Sequence, residues 1–216
     1  MRISVFGATG MAGSAVVAEA LSRGHDVTAI SRKPPGDAAH ERLSVLGLDV
    51  TGPDALDPVL AESDVAVVTI RLAAGEEDLL APTTTRFLDA AERTETRVLV
   101  IGGAGPLRSP RHPGLLVVDD PAYVPAAWRA VAGASIAQLQ ACMQHQYRGW
   151  VYLSPPAVLE PGPRTGAYRR GTTRLLTDAD GQSQITAADL AIAVSDEIET
   201  PSGEHHFTVA EQVYRR

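Results

Sequence analysis

Short apolar runs, broken by turn residues, alternate along this chain with longer stretches whose apolar residues return every three or four positions. The runs at 3–6, 25–30, 43–48, 65–70, 97–101 and 150–153 have the length of strands. Residues 65–70, Val-Ala-Val-Val-Thr-Ile, are β-branched almost throughout, as suits a strand buried on both faces. Between the runs, 14–21, 53–60, 79–92 and 126–147 carry the helical period. Pro53 falls near the start of the second of these, where its missing N–H costs nothing. Beyond Pro156 the pattern changes. Residues 162–166 are rich in turn formers, and 167–177 suit a short hairpin or an irregular arm. Thr186, with Asp189 three residues on, caps a helix running to about residue 199, and 205–209 form a last strand. Strands alternating with helices predict an α/β fold, a doubly wound parallel sheet with right-handed crossovers that put helices on both faces. One domain is expected over 1–216, with about 157–216 forming a small C-terminal cap.

The first join between strand and helix carries the clearest chemistry. Gly7-Ala8-Thr9-Gly10-Met11-Ala12-Gly13 follows the first strand directly and leads into the first helix. A strand that turns tightly into a helix aims backbone N–H groups and the positive end of the helix dipole at one spot, which suits a pyrophosphate. Gly7 permits the turn, Gly10 lets the backbone approach the phosphates, and Gly13 lets helix and strand pack closely. The expectation is a Rossmann-type sheet with a dinucleotide at residues 7–13.

Composition narrows the partners. At 216 residues and 44% apolar, the chain can bury a substantial core and shows no sign of disorder. With 26 acidic and 19 basic residues the net charge is −7, which disfavours nucleic acid and anionic membrane, since both need a positive field. The single cysteine, Cys142, excludes an internal disulfide and a thiolate zinc cluster. It shares helical spacing with Ile136, Leu139 and Met143 and reads as a packed core thiol. Residues 3–18 carry no charge, but three evenly spaced glycines would spoil the apolar helix of a signal peptide. No run approaches the ~20 apolar residues of a membrane span. A cytoplasmic protein is expected. No metal is expected either: His205-His206 alternate in a strand without further ligands to join them. His145 reads as a surface hydrogen bonder, and Asp119-Asp120 as a loop cap.

The end of the second strand selects the dinucleotide. An acid there would accept from a ribose 2′-hydroxyl, but this chain offers Ser31-Arg32-Lys33. A carboxylate would repel a 2′-phosphate, whereas Arg32 can grip one through charge-assisted bonds. NADP(H) is therefore expected, with NAD(H) as the other option. The bland reading is that Arg32 and Lys33 are solvated charges before Pro34. Asp49-Val50 end the third strand where adenine would lie, and Asp49 either accepts from the adenine amino group or caps the following turn. Thr69-Ile70-Arg71 and Gly102-Gly103-Ala104 end the fourth and fifth strands. Ligands of an open sheet bind beyond such ends, so both turns should border the ribose and nicotinamide.

Four segments together resemble a known family. They are 7–13, Gly102-Gly103-Ala104-Gly105, residues 150–156 (Trp-Val-Tyr-Leu-Ser-Pro-Pro), and residues 161–169 (Pro-Gly-Pro-Arg-Thr-Gly-Ala-Tyr-Arg). The chain resembles the atypical short-chain dehydrogenase/reductase group that includes NAD(P)H-binding flavin reductases and the biliverdin reductase B type. The resemblance covers nearly the whole chain. It implies a Rossmann core, NADP(H) in the crevice and a small C-terminal cap. It also implies that Ser154-Pro155-Pro156 lies near the nicotinamide and the Arg164-Thr165-Gly166 segment near the substrate mouth.

Typical members of the wider superfamily place a lysine four residues after a tyrosine, so that a proton can move with the hydride. None of Tyr123, Tyr147, Tyr152, Tyr168 and Tyr214 has that lysine; the only lysine, Lys33, stands after the second strand. The usual serine position reads Gly103-Ala104. A missing relay argues against an alcohol dehydrogenase or a sugar epimerase, which must take a proton from a hydroxyl at neutral pH. A flavin or quinone needs less, because a delocalised ring accepts hydride and solvent supplies the proton, leaving orientation and water exclusion to the protein. Gly102-Gly103 would leave room for such a ring and Pro155-Pro156 would wall it. Flavin is then a substrate rather than a tightly bound cofactor, and no catalytic acid or base is assigned. The alternative is a non-catalytic NADP(H)-binding redox sensor. Arg164, Arg169, Arg170 and Arg174 form the one basic cluster, which either attracts a phosphorylated flavin or, as favoured here, coats a solvent-facing arm. Arg32→Ala should weaken NADPH binding much more than NADH binding in fluorescence titrations. Equal losses would remove the assignment of Arg32 to the 2′-phosphate.

Overall fold

A computed structural model describes residues 1–34, 36, 40–52 and 55–212. The elements follow the alternation read from the sequence: β1 (Arg2–Phe6), α1 (Met11–Ser22), β2 (Asp26–Ser31), β3 (Leu43–Gly47), α2 (Asp57–Ala61), β4 (Val65–Val68), α3 (Leu80–Thr94), β5 (Arg97–Ile101), α4 (Arg129–Gln144) and β6 (Trp150–Ser154). After them come β7 (Val158–Glu160), β8 (Tyr168–Gly171), β9 (Gln184–Thr186), α5 (Ala187–Glu199) and β10 (His206–Glu211). The main sheet has the order β3-β2-β1-β4-β5-β6-β10-β8. Its first seven strands are parallel, and β8 runs antiparallel to β10 at the edge.

Burial on both faces explains why the strands are so apolar. Ile3, Val5, Val67, Leu99, Leu153 and Phe207 face one side and pack with α1 and α5. Phe6, Ile30, Val68, Val100 and Tyr152 face the other and pack with α2, α3 and α4. The period-2 alternation of side chains thus feeds two cores from one set of strands. Cys142 is fully buried in the second core, where desolvation pushes its thiol up to about 12. Among the described residues no helix is long and apolar enough to cross a membrane, and no cluster of His, Cys, Asp or Glu could hold a metal ion.

Several elements differ from the reading of the sequence. The helix expected at 53–60 is the short α2, with Pro58 at its start; Pro53 lies outside the described residues. Residues 126–128 form a 3₁₀ turn before α4, which ends at Gln144 rather than 147. Residues 167–177 form no hairpin: β8 pairs with the distant β10. The stretch expected to cap the sheet contributes α5 to the layer of α1, and β10 and β8 to the sheet itself. Its β7 and β9 make a separate two-stranded parallel ladder. Thr186 caps α5 by accepting from the Asp189 N–H at 3.1 Å. The Asp189 carboxylate instead receives the Thr165 and Gly166 N–H groups and the Thr165 hydroxyl.

An ionic cluster staples α1 to α5. Buried Glu19 accepts from Arg164 at 2.9 and 3.0 Å and from Arg23 at 2.8 Å. Arg23 also reaches Asp196 and Glu199, each at 2.8 Å. The Arg164 guanidinium, with Arg23 beside it, holds the Glu19 carboxyl below its ordinary value against the opposing pull of desolvation. A lowered folded pKa means the stabilisation is complete above the ordinary value of 4.5 and is lost as pH falls through the folded value. Glu19→Gln should therefore cost about 1–3 kcal/mol in urea unfolding at neutral pH. The gap from the parent protein should narrow progressively as pH falls below 4.5 and Glu19 takes up its proton. A gap that persists unchanged in acid would show that packing, not charge, is responsible.

Candidate functional site

The turn after β1 is wired to its neighbours through the backbone. The Gly7 and Ala8 N–H groups donate to the Ile30 carbonyl at 3.0 and 3.1 Å, and the Thr69 N–H donates to Phe6 at 2.9 Å. Gly7 has φ +88°, and a Cβ there would collide with the Thr69 carbonyl. Gly10 stands at the N-cap of α1, donating its N–H to Gly7 at 2.9 Å, and no side chain caps the helix. A Cβ on Gly13 would drive into the Gly7 carbonyl. Helix and turn are therefore in van der Waals contact, and the first turn of α1 contains no acid to offset its positive end.

Beyond this turn lies a cleft of about 200 Å³ at the point where the chain reverses direction across the sheet, between β1 and β4. Gly7, Thr9 and Gly10 form one side; Ile30, Ser31 and Arg32 close the end of β2; Leu48, Asp49, Val50 and Thr51 follow β3; Thr69, Ile70, Arg71 and Leu72 follow β4. These residues fit a dinucleotide: an uncapped helix end, glycines at the point of closest backbone approach, and apolar walls for a base. The charged side chains of the lining are Arg32, Asp49 and Arg71. Among the described residues neither arginine has a carboxylate at ion-pair distance. The Asp49 Oδ1 accepts from the Thr51 N–H at 3.0 Å and from its hydroxyl at 2.8 Å. Those bonds, above all the one from the Thr51 hydroxyl, hold the Asp49 carboxyl below its ordinary value, and Arg32 adds to the effect.

The structure thus gathers Gly7, Thr9, Gly10, Ser31, Arg32, Asp49, Val50, Ile70 and Arg71 around one cleft. Ala8, Ala12 and Gly13 are buried beneath the turn, and Met11 and Lys33 are exposed beside it. Gly102, Gly103, Ala104, Ser154, Pro155 and Pro156 sit further along the same sheet edge, beyond β5 and β6, where the Gly102 N–H donates to Leu153 at 3.0 Å. Packing accounts for the glycines here. A Cβ on Gly102 would strike the Tyr152 hydroxyl, one on Gly103 would press on Ser135, and one on Gly105 would strike the Ala132 carbonyl in α4. Ser154 is buried, and its hydroxyl lies 2.9 Å from His206 Nε2; burial lowers the pKa of that imidazole.

Three tyrosines, Tyr147, Tyr152 and Tyr168, are held in their neutral form. Buried Tyr152 donates to the Ser135 carbonyl at 2.9 Å, and desolvation pushes its phenol up. Desolvation likewise raises Tyr147, which donates to the Thr96 carbonyl, and lifts Tyr168, bonded to Asp196, to about 12. The arginines of the basic cluster are bonded within the protein, with Arg164 and Arg174 still exposed. Arg164 binds Glu19; Arg169 donates to the Glu211 and Thr177 carbonyls; Arg170 pairs with Glu197 at 2.9 Å and covers the Phe207 ring; Arg174 donates to Pro110. None of the four lines the cleft. Trp128, which no sequence period singles out, stands with its ring 4.9 Å from the Arg71 guanidinium.

Fold and cleft together define a nucleotide-binding α/β protein of the Rossmann type. The chain matches the NAD(P)H-binding family over residues 7–201 and belongs to it. The Bacillus subtilis protein YwnB, itself uncharacterized, is 34% identical over 215 residues, 98% of this chain and 99% of its own length. A solved Bacteroides thetaiotaomicron protein with the provisional name of an epimerase is 32% identical, with a TM-score of 0.89 over 100% of this chain and 99% of that one. A Streptococcus pneumoniae structure with the provisional name of an NADH-flavin reductase is 28% identical, with a TM-score of 0.87 over 98% of this chain and 100% of that one. The name of the Streptococcus pneumoniae protein agrees with the reductase group that the sequence motifs resemble.

The glycine geometry separates folding from binding. Gly13→Ala should destabilise the protein by about 1–3 kcal/mol through overpacking. Gly10→Ala, whose Cβ would lie 3.2 Å from the Gly7 carbonyl, should cost less than about 1 kcal/mol. It should nevertheless weaken NADPH binding at least about tenfold by crowding the phosphates. Thermal unfolding with and without NADPH reads both effects. An NADPH-induced rise in Tm that survives Gly10→Ala unchanged would move the phosphate site elsewhere.

Proposed function

We propose that the protein is an NAD(P)H-dependent oxidoreductase that prefers NADPH and reduces a planar acceptor, a flavin or quinone, without a tyrosine–lysine relay. The observation that carries the reading is the cleft itself: a glycine turn on an uncapped helix end, with Arg32 where an NAD-selecting acid would stand. Backbone N–H groups of the turn and of the start of α1 would hold the pyrophosphate, and Arg32 beside Ser31 the 2′-phosphate. Val50 and Ile70 would flank the adenine, with Asp49 at its edge. Gly102, Gly103, Ala104 and Ser154-Pro155-Pro156 would line the nicotinamide end. When bound, the nicotinamide supplies the hydride.

The protein's own residues then orient two flat rings and exclude water, which is sufficient for an acceptor that takes its proton from solvent. Tyr147, Tyr152 and Tyr168, each neutral and hydrogen-bonded within the protein, support this reading over that of an epimerase, whose hydroxyl substrate needs a base at neutral pH. Cytoplasmic location belongs to the proposal, because a dissociable nicotinamide nucleotide must be re-reduced by other enzymes after each turnover.

Loss of NADPH absorbance with FMN, riboflavin or a quinone present should reveal turnover. Tyr152→Phe should retain turnover within about threefold, since a buried phenol bonded to a carbonyl cannot reach an acceptor. Tight NADPH binding without oxidation by any of the three acceptors would favour a redox sensor instead.

A further inference from the structure

A second cavity, of about 220 Å³, lies where the parallel strands β4, β5 and β6 begin, at the opposite edge of the sheet from the glycine turn. Arg97 and Arg148 line it, and neither has a carboxylate at ion-pair distance among the described residues. The Arg97 Nη1 donates to the Ile198 carbonyl at 3.3 Å and the Arg148 Nη1 to the Met143 carbonyl at 3.2 Å. A guanidinium carries five N–H groups, so most of each fork is left for another acceptor. The two carboxylates of the lining already have a cation: Arg170 lies 2.9 Å from Glu197 and 3.4 Å from Glu204.

Trp150 adds a third kind of donor to the same lining. The residue is 5% exposed, and its buried indole Nε1 has no hydrogen-bond acceptor among the described residues. An indole N–H can only donate, and leaving it unpaired in the interior is costly. The ring is also held in place. His205 packs against it with centroids 4.7 Å apart, and the His205 Nδ1 donates to the Trp150 carbonyl at 2.9 Å. The cavity far exceeds the roughly 10–15 Å³ that one bridging water needs. Two unpaired guanidinium groups and an unsatisfied indole N–H therefore border a space large enough for an organic molecule, and the guanidinium groups set the sign of its charge.

We propose that this cavity is a second binding site, for a small organic anion whose carboxylate or phosphate oxygens are held by Arg97 and Arg148 and accept the Trp150 indole N–H. The site stands apart from the glycine-turn cleft and does not depend on the reductase reading.

The two indole N–H resonances of the isotope-labelled full-length protein report on it directly. The protein is titrated with inorganic phosphate, malonate and citrate at constant ionic strength, with and without saturating NADP⁺. Trp128→Phe assigns the remaining resonance to Trp150. At least one of the three anions should shift the Trp150 resonance and saturate it below about 20 mM. Arg97→Gln and Arg148→Gln should each weaken that anion about five- to tenfold. Arg148 is exposed, so its variant tests the site without putting the fold at stake. NADP⁺ should leave the affinity within about twofold. A Trp150 resonance that none of the three anions moves overturns the proposal, as does an affinity that both arginine variants leave unaltered. Displacement of the anion by NADP⁺ would place it at the glycine turn and also overturn it.

Discussion

The close approach of α1 to the turn after β1 is the contact on which the cleft depends. Gly13 has no side chain to hold the helix away from the Gly7 carbonyl, and Gly7 adopts a left-handed backbone that no β-carbon would tolerate against Thr69. The same turn is bonded to β2 through Ile30 and flanked by the Phe6–Thr69 bond to the segment after β4. Three strand ends are therefore tied to one helix end. The positive end of α1 opens into the cleft because the strands below it cannot spread.

Charge is distributed to the same effect. An acidic chain has ample carboxylates to neutralise its arginines, and several of the arginines are so used: Arg23 and Arg164 on Glu19, Arg93 on Asp57, Arg170 on Glu197. The two arginines of the cleft lining are not paired in this way. Desolvation meanwhile raises the phenols of Tyr147, Tyr152 and Tyr168, each of which is hydrogen-bonded within the protein. Such an arrangement suits a reaction whose difficult step resides in a bound cofactor.

Much of the cleft was legible in the residues themselves. Glycines at 7, 10 and 13, the Ser31-Arg32 step after β2 and the Asp49-Val50 pair after β3 all follow from strand ends that local apolarity marks. Glycines 102, 103 and 105 were harder to read. Their spacing suggests space for a ligand, yet their missing side chains make room for Tyr152 and α4. The arginines from 164 to 174 look like one basic surface along the chain, but they bond to separate partners scattered from residue 19 to residue 211.

Local order along the chain determined the alternation of strands and helices, the parallel sheet and the glycine turn after β1, because each depends on periodicity or on glycine within a dozen residues. Tertiary structure alone decided that β8 pairs with β10, that α5 joins the layer of α1 rather than a separate cap, and that Trp128 stands over Arg71. Those contacts join residues from 37 positions apart (Gly171 and Thr208) to 176 (Arg23 and Glu199), and no local period encodes which distant partners meet. They are selected by which apolar faces and unpaired charges remain once the sheet has closed.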